Sequence, residues 1–243
     1  MWWLVCLPAL AGAIGAGEEL VWGITYAGIT GAVASATVSD APGGSLYIST
    51  AIKNADWYAR IYTIDDTTRS TWVPGDGSTR YETRFREGGF QQDQDMRLAP
   101  SSFSVWRHQK LKEGWKEWTT EYPGHPYAED PVTAFFAIRT LDGAGPWSMP
   151  VFSGEATWPL HVEDAGRETL AVEPLGEVPV RVLSLQTRHR GEWEQQGRFL
   201  VYVTDDERRI PVRFVIRSSI GAIRADLIGY TPPSSAEPAA SPP

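Results

Sequence analysis

The chain has one cysteine, Cys6, among 243 residues. A lone thiol builds neither a disulfide framework nor a cysteine-based zinc site. Histidine is nearly as sparse, with His108, His125, His161 and His189 the only four. No two of them stand at i, i+2 or i, i+4, so no metal pair falls within one element. Lys/Arg-rich runs are missing, and 30 acidic against 22 basic side chains leave a net charge of −8. Phosphate contacts need clustered positive charge, so nucleic acid is not an expected partner. There is no Gly-x-Ser-x-Gly elbow, no phosphate loop and no Gly-x-Gly-x-x-Gly turn. No stretch reaches the ~18–20 apolar residues of a membrane-spanning helix. No cofactor or metal is expected from such a sequence.

What is present is aromatic. The chain carries 11 Trp, 9 Tyr and 8 Phe, and its 42% hydrophobic content places it among globular proteins rather than disordered ones. Residues 1–16, MWWLVCLPALAGAIGA, are uncharged, and Gly17-Glu18-Glu19 opens the polar body. The apolar run is too short to span a bilayer, and both Ala11-Gly12-Ala13 and Ala13-Ile14-Gly15 fit a small-x-small cleavage rule. It reads as a secretory signal peptide, although no Lys or Arg precedes the apolar stretch. Its removal takes away Cys6 and suits an oxidising compartment, here the periplasm. At the other end, residues 231–243, TPPSSAEPAASPP, offer no large apolar side chain and read as a disordered tail. The expected folded body is one domain over 17–230.

That body reads as sheet. In Thr79–Arg86, Tyr81, Thr83 and Phe85 alternate with Arg80, Glu82, Arg84 and Arg86. Period 2 puts those sets on opposite faces, one covered and one wet, as in an antiparallel sheet. Similar segments are 20–27, 32–39, 46–52, 57–64, 115–120, 178–187, 199–204 and 210–217. Pro42-Gly43-Gly44, Pro74-Gly75-Asp76-Gly77, Glu87-Gly88-Gly89 and Asp205-Asp206 mark turns between them. The expectation is a mainly β fold: a strongly curved antiparallel sheet, open barrel or barrel-like sandwich. One helix interrupts it. Asp130 is an N-cap, Pro131 fits the first helical position, and apolar residues follow on nearly every face to Leu141. A helix of that kind must be buried, here inside the curve of the sheet. Arg139 is its exception, and a buried guanidinium needs a carboxylate or a row of carbonyls. Gly143–Pro150 reads as a link between two halves of the sheet.

Acid–base chemistry finds little support. Asp65-Asp66, Glu129-Asp130, Glu163-Asp164 and Asp205-Asp206 are adjacent carboxylates, but neighbours in a strand face opposite ways. Capping accounts for Asp130 and turn chemistry for Asp205-Asp206. His125 lies in a rigid aromatic loop and reads as solvated. Trp106, Trp115 and Trp118 stand among Arg107, His108, Lys110, Lys112 and Lys116. They suit either a surface for lipid headgroups or glycan, or core aromatics of a hairpin, and the hairpin core is the expectation.

Three segments together resemble one family. They are Gly17-Glu18-Glu19-Leu20 running on to Tyr26-Ala27-Gly28-Ile29 and Gly31-Ala32, the helix Asp130–Arg139, and Val203–Val212 followed by Gly221–Leu227. In this order and spacing they look like the bacterial exported family called domain of unknown function 3108. The resemblance implies a Gram-negative cell envelope and a β-rich fold, and carries no activity or catalytic residues.

Three functions suit this reading. The first is a non-enzymatic carrier of an apolar ligand, a lipid or lipoprotein acyl chain, on the fold-level analogy of periplasmic lipoprotein carriers. An apolar site needs little polar chemistry, which fits the missing motifs. Candidate ligand-binding residues are Phe135, Phe136, Ile138 and Arg139 from the helix, with Tyr81 and Phe85 from the amphipathic strand. Transient membrane contact is compatible with such a role. The second is an envelope structural or assembly factor that holds a protein partner by sheet edges or an aromatic patch. The third is an enzyme on glycan or lipid, which needs carboxylates or an Asp–His pair converging in a cleft.

Overall fold

A computed structural model describes residues 14–26, 28–55, 62–189, 192–193, 199–218 and 221–234. The strands are β1 (Glu19–Tyr26), β2 (Ile29–Asp40), β3 (Leu46–Asn54), β4 (Asp65–Val73), β5 (Gly77–Glu87), β6 (Phe90–Leu98), β7 (Ser102–Leu111) and β8 (Gly114–Pro123). After helix α1 (Pro131–Ala137) come β9 (Trp147–Phe152), β10 (Thr157–Val172), β11 (Gly176–His189), β12 (Glu192–Trp193), β13 (Phe199–Thr204), β14 (Pro211–Ser218) and β15 (Gly221–Thr231). One antiparallel sheet runs in the order β8-β7-β6-β5-β4-β3-β2-β1-β15-β14-β13-β11-β10-β9, with β12 paired only to β11. The last strand pairs with the first, so β1 lies mid-sheet and β8 and β9 form the edges. The sheet is curved but does not close.

Curvature shows in the core. Trp72 of β4, Leu20 and Trp22 of β1, Val172 of β10 and Val180 of β11 share one buried cluster with Phe136 of α1. Strands that are distant in sheet order meet across the interior only if the sheet curls around the helix. A second cluster joins Ala134 and Ile138 to Leu160, Val162, Leu183, Leu185, Val201 and Val203. A third joins Tyr81, Met96, Leu98, Phe103, Val105, Ala128 and Phe152.

The helix begins as its sequence dictates. The Asp130 side chain accepts from the Val132 and Thr133 N–H groups, Thr133 returns a bond to the Asp130 N–H, and Pro131 fills the first turn. After Ala137 the coil tightens into a 3-10 turn over Ile138–Thr140. The segment before the helix ties the sheet's two arms together. Glu129 donates to Pro150 O at 2.9 Å and accepts from Phe152 N at 2.8 Å, while Ala128 O accepts from Ser78 N at 2.9 Å. Gly77 permits that approach: its φ is +96°, and a Cβ there would lie 2.6 Å from Ala128 O.

Sequence and structure part in several places. The sequence segment 57–64 lies largely outside the described residues, and β4 follows it at Asp65–Val73. The expected link Gly143–Pro150 gives way to β9 from Trp147 onward. Thr231 completes β15, and Ser234 N donates to Ala16 O at 2.9 Å. The rest of the tail, 235–243, lies outside the described residues, as do 1–13. Ile14 packs against the first core cluster.

Candidate functional site

Small and large side chains alternate along one face of β2, β1, β15, β14 and β13, and the helix covers them. On β2 the lining positions are Ala34 and Ala36, next to Trp22 and Leu20 of β1, and on β15 Ala225 stands next to Ile24. Phe135 and Phe136 of α1 cover this face, and Phe199 of β13 and Phe214 of β14 extend it, Phe214 directly beside Ala225. These residues line a cavity of about 340 Å³. That size falls within the roughly 300–1,000 Å³ of small-molecule sites. Trp22, Thr50, Ile52, Val132, Ile216 and Arg139 complete most of its wall.

The ring wall is held by edge contacts. Phe135 meets Phe199 at 5.2 Å and Phe214 at 5.6 Å between centroids, and Trp22 meets Phe214 at 5.5 Å. The Trp22 indole is committed as well, donating to Pro211 O at 2.8 Å. Pro211 opens β14, where its missing N–H costs the ladder nothing.

Among the described residues Arg139 brings the only charge to the lining. Its two terminal nitrogens donate to the two carboxylate oxygens of Glu18 at 2.9 and 2.8 Å, and Nη2 also reaches Arg208 O at 3.1 Å. Both side chains of the pair are fully buried. A bidentate pair with an added carbonyl meets the requirement that the sequence set for this residue. Its guanidinium is therefore matched by charge from within the chain.

Of the six residues singled out in sequence, Phe135, Phe136 and Arg139 line the cavity and the other three do not. Ile138 turns from the helix into the second core cluster. Tyr81 is buried in the third cluster, where burial raises its phenol pKa and the neighbouring Asp130 charge adds to the shift. Phe85 is half-buried further along β5. Both strand residues do face inward, but β5 lies three strands from β2 across the sheet. The alanines, Phe199, Phe214 and Glu18 escaped sequence reasoning. The one available signal was Ala32, Ala34 and Ala36 at period 2 on β2.

Two adjacent carboxyls lie buried beside the helix start. Burial pushes Glu129 up to about 7, against the opposing hydrogen bonds of Thr133 and Trp72. The Trp72 indole donates to Glu129 Oε1 at 3.2 Å. Asp130 is also raised by burial, while it caps the helix and accepts from Ser78 Oγ at 2.7 Å. Neither lines the cavity.

On the outer face of β7 and β8, His108 stacks 4.5 Å from Trp115 and 6.0 Å from Trp106. The hairpin is as expected, but Trp115 is 47% exposed, so these rings do not form its core. The reason is register: Trp115 pairs with Lys110 and Trp106 with Thr119, on the face opposite Phe103 and Val105. Asp93 approaches His108 at 3.9 Å, beyond hydrogen-bond reach, while bound to Arg86 at 2.6 Å. His125 is exposed. Among the described residues no three His, Cys, Asp or Glu side chains converge on a metal position.

The model of one family, "Protein of unknown function (DUF3108)", matches residues 22–228. The chain belongs to the DUF3108 family. The match covers every strand from within β1 to within β15 and the whole cavity wall. No curated protein matches the sequence. Among solved structures, a β-barrel-like protein of domain of unknown function DUF1849 from Brucella abortus has a TM-score of 0.61 at 12% identity, covering 88% of this chain and 97% of its own. A candidate exported protein with a YmcC-like fold from Bacteroides fragilis covers 91% and 99% at 10% identity, with a TM-score of 0.38. The first of these gives the DUF3108 chain a β-barrel-like fold and nothing about its chemistry.

Proposed function

We propose that this protein is an exported, non-enzymatic component of a Gram-negative cell envelope that holds an apolar ligand in the cavity between α1 and the inner face of the sheet. The ligand class is lipid or a lipoprotein acyl chain. The observation that carries the reading is the lining: alanines among five aromatic side chains, and one charge already matched by Glu18. Each buried methylene contributes about 0.8 kcal/mol, so a chain of a dozen carbons supplies on the order of 10 kcal/mol gross without any polar contact. Export rests on the apolar leader 1–16 and the cysteine-free body behind it.

Edge strand β8 offers the rival reading, a strand-adding contact for a protein partner. It carries Lys116, Glu117 and Glu121, the charges with which free edges resist pairing, so it supports a partner less well than the cavity supports a ligand. Native mass spectrometry with lipid extraction, on mature protein from an envelope fraction, separates the two. A near-stoichiometric lipid supports the carrier. A clean apo mass from gently prepared protein moves the assignment to the assembly factor.

A further inference from the structure

The cavity has a buried end and an exposed end. The buried end is built from Trp22, Ala36 and Phe136. Toward the other end, one cross-strand row runs Ile29, Tyr26, Ile223, Ile216 through β2, β1, β15 and β14. Residues directly opposed in a sheet share a face. Ile216 lines the cavity, so the whole row lies on the cavity's face. Yet its members are exposed: Ile29 58%, Tyr26 46%, Ile216 42% and Ile223 42%. The row is an apolar lip that continues the cavity wall into solvent.

Among the described residues the polar side chains of the wall are Ser35, Thr50, Trp22 and Arg139, and none of them offers an unmatched charge. Glu18 engages the terminal nitrogens of Arg139, Trp22 is bound to Pro211 O, and Thr50 is bound to Thr68 at 2.8 Å. An ionised group drawn into that space would lose its hydration and gain no counter-charge. A hydrocarbon chain loses nothing there.

Building on the ligand reading above, we propose that the cavity takes a single-chain amphiphile tail-first across the Tyr26–Ile29–Ile216–Ile223 lip and leaves the polar head outside. The ligand is selected by chain length and not by head-group charge. Lengthening the chain raises affinity roughly fourfold per methylene until the cavity is filled. Exchanging the head group changes little.

The test is a set of dissociation constants for the full mature chain, by calorimetry below micelle-forming concentrations. The probes are sodium laurate, dodecylamine and methyl laurate, with decanoate as the shorter chain. The expected result is three twelve-carbon affinities within about threefold and decanoate roughly sixteenfold weaker. Ile223→Asp and Ile216→Asp, both on exposed side chains, weaken all probes at least tenfold with an unchanged circular-dichroism melt. A tenfold preference for the carboxylate or the ammonium overturns this inference while the apolar cavity stands. So do lip variants that bind like the wild type. If none of the four probes binds, the ligand reading itself falls, and this inference with it.

Discussion

Beside the helix, the inner positions of β2 and β15 hold Ala34, Ala36 and Ala225; on β5, β6 and β7 they hold Tyr81, Met96, Phe103 and Val105. The two regions belong to one sheet with one alternation. In the second, Phe103 meets Phe152 at 4.6 Å and Tyr122 meets Phe152 at 5.4 Å, ring against ring. In the first, the lining leaves about 340 Å³ open. The same pleat thus makes a packed core in one region and leaves a cavity in the other. Close-packed interiors are the rule in proteins, so an interior left open needs a reason.

The largest effects belong to interactions that each region cannot lose. Arg139→Met leaves the Glu18 carboxylate buried without its counter-charge, and chemical denaturation should show a loss of about 3–5 kcal/mol. Combining it with Glu18→Leu should recover most of that loss. A double variant as unstable as the single one would remove the ion pair from the account. Phe103→Ala, in the packed region, should cost about 3–5 kcal/mol and leave acyl binding intact. Ala34→Leu should do the reverse, abolishing acyl binding with a stability change under about 2 kcal/mol. If both variants affected stability alone, the contrast between the regions would collapse.

A pH effect of similar size comes from the segment that joins the two arms. Glu129 titrates near 7 in the folded chain against an ordinary value of 4.5. A raised carboxyl pKa means the folded state holds a proton that the unfolded state releases. Stability is therefore unaffected below about pH 4.5, falls as pH rises to about 7, and is lower by on the order of 3 kcal/mol above that. Glu129→Gln should match the wild type at pH 4 and exceed it by up to that amount at pH 8. Parallel pH profiles for the two proteins would place the proton elsewhere. Gly77→Ala, where φ is +96° and a Cβ meets Ala128 O, should cost about 1–3 kcal/mol in the melt of either region. No change would mean that the 128–130 segment can shift.

Much of the fold is legible in the residues. The alternation in β5, the capping box at Asp130 and the turns at Gly-rich pairs all follow local rules. The β4 strand does not show itself, because of its inner positions Asp66, Thr68, Ser70 and Trp72 only the last is apolar. Partners from neighbouring strands explain that choice: Asp66 accepts from Arg86 N at 2.7 Å, and Thr68 binds Thr50 at 2.8 Å. The need of Arg139 for a carboxylate is readable, but its partner stands 121 residues earlier, beside the apolar leader. Phe135 and Phe136 are visible as buried rings. The cavity is not, because it is a difference in volume between strands that meet only in three dimensions.

The central claim is that the alanines hold space for a chain. Laurate binding to the wild type and to an Ala34→Leu/Ala225→Leu variant, with thermal melts alongside, tests it most directly. The account predicts one laurate per wild-type chain, at least tenfold weaker binding in the variant, and a variant melt no lower than about 5 °C below the wild type. Equal laurate binding by both proteins would contradict it.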